Sequence, residues 1–150
     1  MATSHIQIDV PPERVWAVLA TPATYADWVV GSDVIRGQDP NWPEPGSRFY
    51  HRVGWGPFKV KDHTEVVEAD PPRKLVIHAR ARPAGTALGT FLLEPRNGGT
   101  YMTMIEEGGD PLSRLSINAL TDPLVKKRND VTLKRLKRIA ETGIVIPDKT

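Results

Sequence analysis

The sequence predicts an α+β domain, and three observations carry that expectation. Residues 33 to 107 alternate apolar and polar side chains between clusters of Gly, Pro, Asn and Asp. Beyond Gly109-Asp110-Pro111 the period becomes helical and runs to Gly143. Ahead of the alternating region stand one short alternating run and two short helical ones. The predicted order is one strand, two short helices, six strands and a long final helix.

The first strand is read from "HIQIDV", where Ile6, Ile8 and Val10 alternate with polar residues. In "PPERVWAVLATPATYADW" a proline suits the first turn of a helix whose apolar stripe is Val15, Val18 and Leu19. Thr21 and Pro22 then predict an N-cap and first position for a second helix carrying Tyr25 and Trp28. Six strands are predicted at 33–37, 47–53, 58–68, 74–82, 86–95 and 100–107. Asn97-Gly98 is the strongest hairpin signal, because a type I′ turn needs positive φ at both positions. Asp122 is the expected cap of a helix over 123–142 that ends before Gly143.

Composition narrows the function classes. At 150 residues the chain fits one domain, 1–150, with one core. It has no cysteine, which removes disulfides and thiolate metal sites and points to a reducing cytoplasm. The first ten residues lack the charged and apolar regions of a secretory signal, and no apolar run is long enough for stable membrane insertion. Net charge is +2, and the basic residues of the final helix lack interleaved aromatics, so neither a nucleic-acid partner nor anionic-membrane contact is expected. His5, His51, His63 and His78 have no paired-ligand spacing, and no glycine-rich phosphate loop joins a strand to a helix. Neither a metal nor another cofactor is expected.

Strand pairing assigns the faces. A turn at Asn97-Gly98 sets Leu93 opposite Met102, Phe91 opposite Met104 and Gly89 opposite Glu106; this apolar face is taken as internal. A four-residue loop at "GWGP" puts Phe49, His51 and Val53 on one face with Phe58, Val60, Asp62 and Thr64. It leaves His51 and Asp62 as diagonal neighbours about 7–8 Å apart. Leu75, Ile77, Ala79 and Ala81 also point inward. A solid core does not normally hold His51, Asp62 and Glu106, since an unpaired buried charge is costly. Small residues at Ala79, Ala81, Ala87 and Gly89 leave room beside them, so a lined cavity is expected.

The segments "PPERVWAVLATPATYADW", "PGSRFYHRV", "TEVVEADPPRKLVIHAR", "LEPRNGGTYMTMIEE" and "LKRLKRIAE" together resemble the polyketide cyclase/dehydrase branch of the START-like (SRPBCC) superfamily. The resemblance spans roughly residues 5 to 142. It implies a helix-grip fold: a curved seven-stranded antiparallel sheet around the long C-terminal helix, enclosing a hydrophobic cavity. Members share a pocket rather than a chemistry, so no catalytic set carries over.

Two uses of that cavity stay open. In the first, a small hydrophobic or aromatic molecule, lipid or polyketide-like, is bound by Tyr25, Trp28, Phe49, Phe58, Ile77, Phe91, Met102, Met104 and Asn129. In the second, a cofactor-independent cyclase, aromatase or dehydratase uses His51 with Asp62 as base and Glu106, its pKa raised by apolar surroundings, as acid. A third reading is a protein-binding, co-chaperone-like domain acting through its surface. Blander roles compete: a structural His51–Asp62 pair, a strand-end Glu106 that caps the following loop or pairs with a base, aromatic plugs at Tyr25 and Trp28, and a solvated back for the basic helix. The inward stripe of that helix is read as Val125, Asn129, Thr132, Leu136 and Ile139 or Ala140. Trp42 and Trp55 are read as loop residues at a rim or dimer contact, the state being monomer or homodimer.

Overall fold

The computed structural model describes residues 1–55, 57–82, 85–116 and 121–143, without the side chains of Trp55, Phe58 and Ser116. Strand β1 (Ala2–Ile8) leads into helix α1 (Pro12–Leu19). A single 3-10 turn (Pro22–Thr24) and helix α2 (Tyr25–Trp28) follow. Six strands come next: β2 (Ser32–Gln38), β3 (Arg48–Trp55), β4 (Phe58–Asp70), β5 (Lys74–Ala81), β6 (Gly85–Arg96) and β7 (Gly99–Gly108). Helices α3 (Pro111–Ser116) and α4 (Asp122–Thr142) close the order.

The strands form one antiparallel sheet in the order β1-β7-β6-β5-β4-β3-β2. The N-terminal strand thus crosses to pair with the last one, and α4 packs chiefly on β1 at that side. The core lies between the inner face of the sheet and the helices. It holds Trp28, Leu19 and Ile8 from the N-terminal part, Leu75, Phe91 and Met102 from the sheet, and Leu133 and Leu136 from α4. Seven antiparallel strands, two short helices and the long helix give the α+β helix-grip architecture.

The β6–β7 register follows the turn chemistry. Asn97 (φ 53°) and Gly98 (φ 76°) both take positive φ, and Leu93 pairs with Met102, Phe91 with Met104 and Gly89 with Glu106. The β3–β4 register differs from expectation. Trp55 pairs with Phe58, so the connection is two residues rather than four, and His51 stands directly opposite Asp62. The shift is by two residues, so His51, Asp62 and Thr64 keep their predicted inward face.

Strand β1 begins and ends earlier than the alternation indicated, because its pairing with β7 runs from Ala2 opposite Glu106 to Ile8 opposite Thr100. Thr121, rather than Asp122, occupies the N-cap of α4, while Asp122 holds the Met1 ammonium at 3.0 Å. Gly143 (φ 68°) ends α4 as predicted, its N–H bonding the Ile139 carbonyl at 2.9 Å. Leu133 joins Asn129, Thr132, Leu136, Ile139 and Ala140 on the buried face, whereas Val125 is only half-buried. Among the described residues no helix is long and apolar enough to cross a bilayer.

Candidate functional site

The inner face of the sheet changes character along its strands. On β5, Leu75 and Ile77 are buried but Ala79 and Ala81 are half-buried. On β6, Phe91, Leu93 and Gly89 are buried but Ala87 and Gly85 are half-buried. One half of the concave face is therefore covered by large side chains, and the other is floored by small ones.

The covered half is aromatic. The ring centroid of Tyr25 lies 4.4 Å from that of Trp28 and 4.8 Å from that of Phe49, and Trp28 meets Phe91 edge-on at 6.0 Å. The polar tips of these rings are already engaged. The Tyr25 hydroxyl donates to the Leu19 carbonyl at 2.7 Å, and burial pushes its pKa far up. Trp28 Nε1–H donates to Thr24 Oγ1 at 3.0 Å. Trp42 donates to the same Leu19 carbonyl and packs on Phe49 at 4.9 Å. Trp42 is thus a core residue, not the rim residue its loop position suggested.

His51 and Asp62 lie toward the small-residue half but engage different partners. His51 Nε2 is 3.0 Å from Thr64 Oγ1. Its Nδ1 has no hydrogen-bond partner among the described residues, although the backbone of His63 lies close enough to influence the ring. Burial is the main cause that lowers the His51 pKa to about 4, which outweighs the attraction of Asp62 and keeps the ring neutral at pH 7. The Asp62 carboxylate accepts from Arg82 Nε at 3.0 Å, from Arg82 Nη2 at 2.9 Å, and from the backbone N–H of Arg82 and of His63. Burial opposes its charge, but the Arg82 and His63 bonds prevail and hold the carboxyl well below the usual range. Of the two readings of this pair, the hydrogen-bonded dyad is not formed: His51 and Asp62 take these two separate partners.

Glu106 lies on the far side of the same face. Its carboxylate is ion-paired with Arg128 of α4, which agrees with the reading of Glu106 as a strand-end residue paired with a base rather than as an isolated acid. The next residue, Asn129, is 1% exposed. Its Oδ1 receives only long contacts from Arg128, at 3.4 and 3.5 Å, and its Nδ2 has no partner among the described residues. Strands β4, β5 and β6 separate β3 from β7, so His51 and Glu106 stand roughly 19 Å apart along the sheet at ~4.8 Å per strand.

Helix α3 crosses the small-residue end. A Cβ on Gly108 would sit 2.3 Å from Arg114 N, and one on Gly85 would sit 3.0 Å from Ser113 Oγ. Only glycine permits such a close approach of helix to strand. Asp110 fixes the start of α3 by accepting from Ser113 N–H at 2.8 Å and from the Ser113 hydroxyl at 2.9 Å, and it also accepts from the Thr86 hydroxyl. The Thr86 and Ser113 bonds lower the Asp110 pKa to about 2. Among the described residues, no three His, Asp or Glu side chains converge as a metal site requires.

A family model described as polyketide cyclase / dehydrase and lipid transport matches residues 2–141. The chain belongs to this family. Solved structures agree on the fold. A Nitrosomonas europaea protein, NE0264, superposes with a TM-score of 0.71 at 19% identity, covering 95% of this chain and 94% of that one. The Aha1 dimer of Colwellia psychrerythraea gives 0.67 at 19%, covering 95% and 96%. DynU16, a protein of the dynemicin biosynthetic locus, gives 0.67 at 17%, covering 95% of this chain and 47% of that one. A search of curated proteins returned no match.

In this polyketide cyclase/dehydrase family member the predicted lining residues Phe49, Ile77, Phe91, Met102 and Met104 are buried with Tyr25 and Trp28 in one apolar cluster. Phe58 is in β4, with its side chain outside the described residues. Sequence reasoning missed Arg82 and Arg128, which neutralise the two inward carboxylates. Both read as surface cations, and nothing in their local pattern marks the long reach of a guanidinium toward a buried acid.

Proposed function

We propose that this domain binds a small hydrophobic or aromatic molecule, lipid or polyketide-like, between the concave sheet face and α4. The observation that carries the reading is Asn129. A buried amide on the sheet-facing side of α4, with Nδ2 unpartnered among the described residues, is a donor suited to a carbonyl or hydroxyl of a ligand. The floor of Ala79, Ala87 and Gly89 supplies apolar contact of low relief, and the family's description includes lipid transport. The proposed compartment is the cytoplasm.

The alternative is a cofactor-independent cyclase, aromatase or dehydratase, supported by the other half of the family description. Its acid and base would be Glu106 and His51. The geometry supports it less, because Asp62 orients Arg82 rather than the imidazole, and because a His with a pKa near 4 is a weak base.

Native mass spectrometry of freshly purified protein, followed by denaturation and extraction, tests the binding reading. It is supported if a defined apolar mass leaves on unfolding and is lost in Asn129→Leu while the fold persists. An Asn129→Leu protein that retains the same mass at the same occupancy overturns the assigned contact. Turnover of a polyketide-like substrate that His51→Gln abolishes would move the assignment to the enzyme.

A further inference from the structure

Among the described residues, three leucines stand open to solvent, and all lie on the two helices that follow β7. Leu112 is 77% exposed, Leu115 71% and Leu124 73%. The first two are on α3, whose opposite side is held to the sheet by Ser113, 6% exposed, against Gly85, Thr86 and Asp110. Leu124 is in the first turn of α4. Both helices start from the same end of β7. The α3 backbone lies on Gly108, while Asp122 of α4 reaches Met1, next to Ala2, which pairs with Glu106. Met1 itself is 64% exposed. Apolar side chains scattered singly over a surface need no explanation, but a gathering of the most exposed ones does.

The charge around them is of one sign. Residues 111–128 carry Arg114, Lys126, Lys127 and Arg128 against one carboxylate, Asp122, which the Met1 ammonium already neutralises. Lys126 is paired with Asp130 and Arg128 with Glu106, so Arg114 and Lys127 remain as cations with no carboxylate partner among the described residues. A second copy of this chain fits poorly. A two-fold contact would bring each basic cluster against itself. Leucines flanked by cations match instead the surface of an anionic bilayer, where apolar side chains enter the boundary layer and cations meet the phosphates.

We propose that the α3–α4 corner docks this domain onto anionic lipid membranes, with Leu112, Leu115 and Leu124 as the apolar contact and Arg114 and Lys127 as the headgroup contact. The corner adjoins the small-residue half of the concave face, so docking presents that half to the bilayer. The inference goes beyond the ligand-binding reading and does not need it, since attachment is measured without any ligand.

Flotation with vesicles of phosphatidylcholine alone, and of phosphatidylcholine containing phosphatidylglycerol, tests it. Wild-type protein is expected to float with the anionic vesicles only, and to be released by high salt. The triple variant Leu112→Gln, Leu115→Gln, Leu124→Gln loses attachment by about tenfold or more, with unchanged circular dichroism because all three side chains are exposed. The pair Arg114→Gln, Lys127→Gln loses roughly as much, at about 1 kcal/mol per basic residue near an anionic surface. Lys61→Gln, on the opposite face of the sheet, changes little. Equal flotation with neutral vesicles, none at all, or attachment unaffected by the leucine variant overturns the proposal. So does a wild-type dimer in sedimentation that the leucine variant converts to monomer, which would make the corner an interface between copies.

Discussion

The two halves of the concave face use the same backbone in opposite ways. In the half around Leu75, Phe91 and Trp28, large side chains are buried and each aromatic polar tip has a protein partner. In the half around Ala79, Ala81 and Ala87, side chains are small and half-buried, and the neutral ring of His51 stands at its border. The first half stabilises the fold by burial, and the second is lined by small, half-buried side chains that bury less apolar surface. A single sheet can hold both because the backbone hydrogen-bond ladder is the same under large and small side chains.

Truncation in the covered half is the hardest blow to that division. Trp28→Ala removes a side chain with 0% exposure that meets Tyr25 and Phe91. Urea unfolding should show a loss of about 3–5 kcal/mol. A loss under about 1 kcal/mol would mean that the aromatic cluster is not what holds the domain together.

Acid acts on the border between the halves. The His51 pKa is lowered from 6.5 to about 4 by burial. The unfolded chain therefore binds a proton that the folded one refuses. Stability conferred by the neutral ring is full above pH 6.5 and falls as pH drops toward 4. Between about pH 7 and pH 5 the loss from this residue is about 2 kcal/mol. His63 and His78 are shifted downward as well, so they add in the same direction. In His51→Gln the slope of unfolding free energy against pH over this range should flatten. An unchanged slope would show that the ring already reaches water.

Much of this division was legible, and the failures are local. Period-two alternation and Asn97-Gly98 gave the inward faces and the β6–β7 register, because a turn with two positive φ values tolerates few alternatives. "GWGP" carries no such demand, and the β3–β4 register slipped by two residues. An even slip preserves faces, so His51 and Asp62 stayed inward while their partners were misjudged. Arg82 and Arg128 act through long side chains that cross from their own elements to buried acids, a tertiary fact with no period. Trp42 is buried for a similar reason: the loop that carries it folds back so that its ring meets Tyr25 and Phe49.

Two glycines put the comparison on a single substitution. In Gly108→Ala the new Cβ would lie 2.3 Å from Arg114 N and 2.4 Å from Ser113 C, both backbone atoms. Helix α3 must then lift, straining the Asp110 bonds to Thr86 and Ser113. A cost of about 1–3 kcal/mol follows, read as a lowered urea midpoint and faster amide exchange in α3. In Gly89→Ala the same methyl meets Ile77 Cγ1 at 3.6 Å and Phe91 Cε2 at 3.9 Å, ordinary contacts at an ordinary φ. The expected change is within about 0.5 kcal/mol, with a small gain from the stiffer unfolded chain. The methyl nonetheless points into the concave face opposite Glu106. A ligand seated there would be lost from Gly89→Ala at unchanged stability, whereas a Gly89→Ala protein that is equally stable and equally loaded would place the ligand nearer the Ala79–Ala87 end.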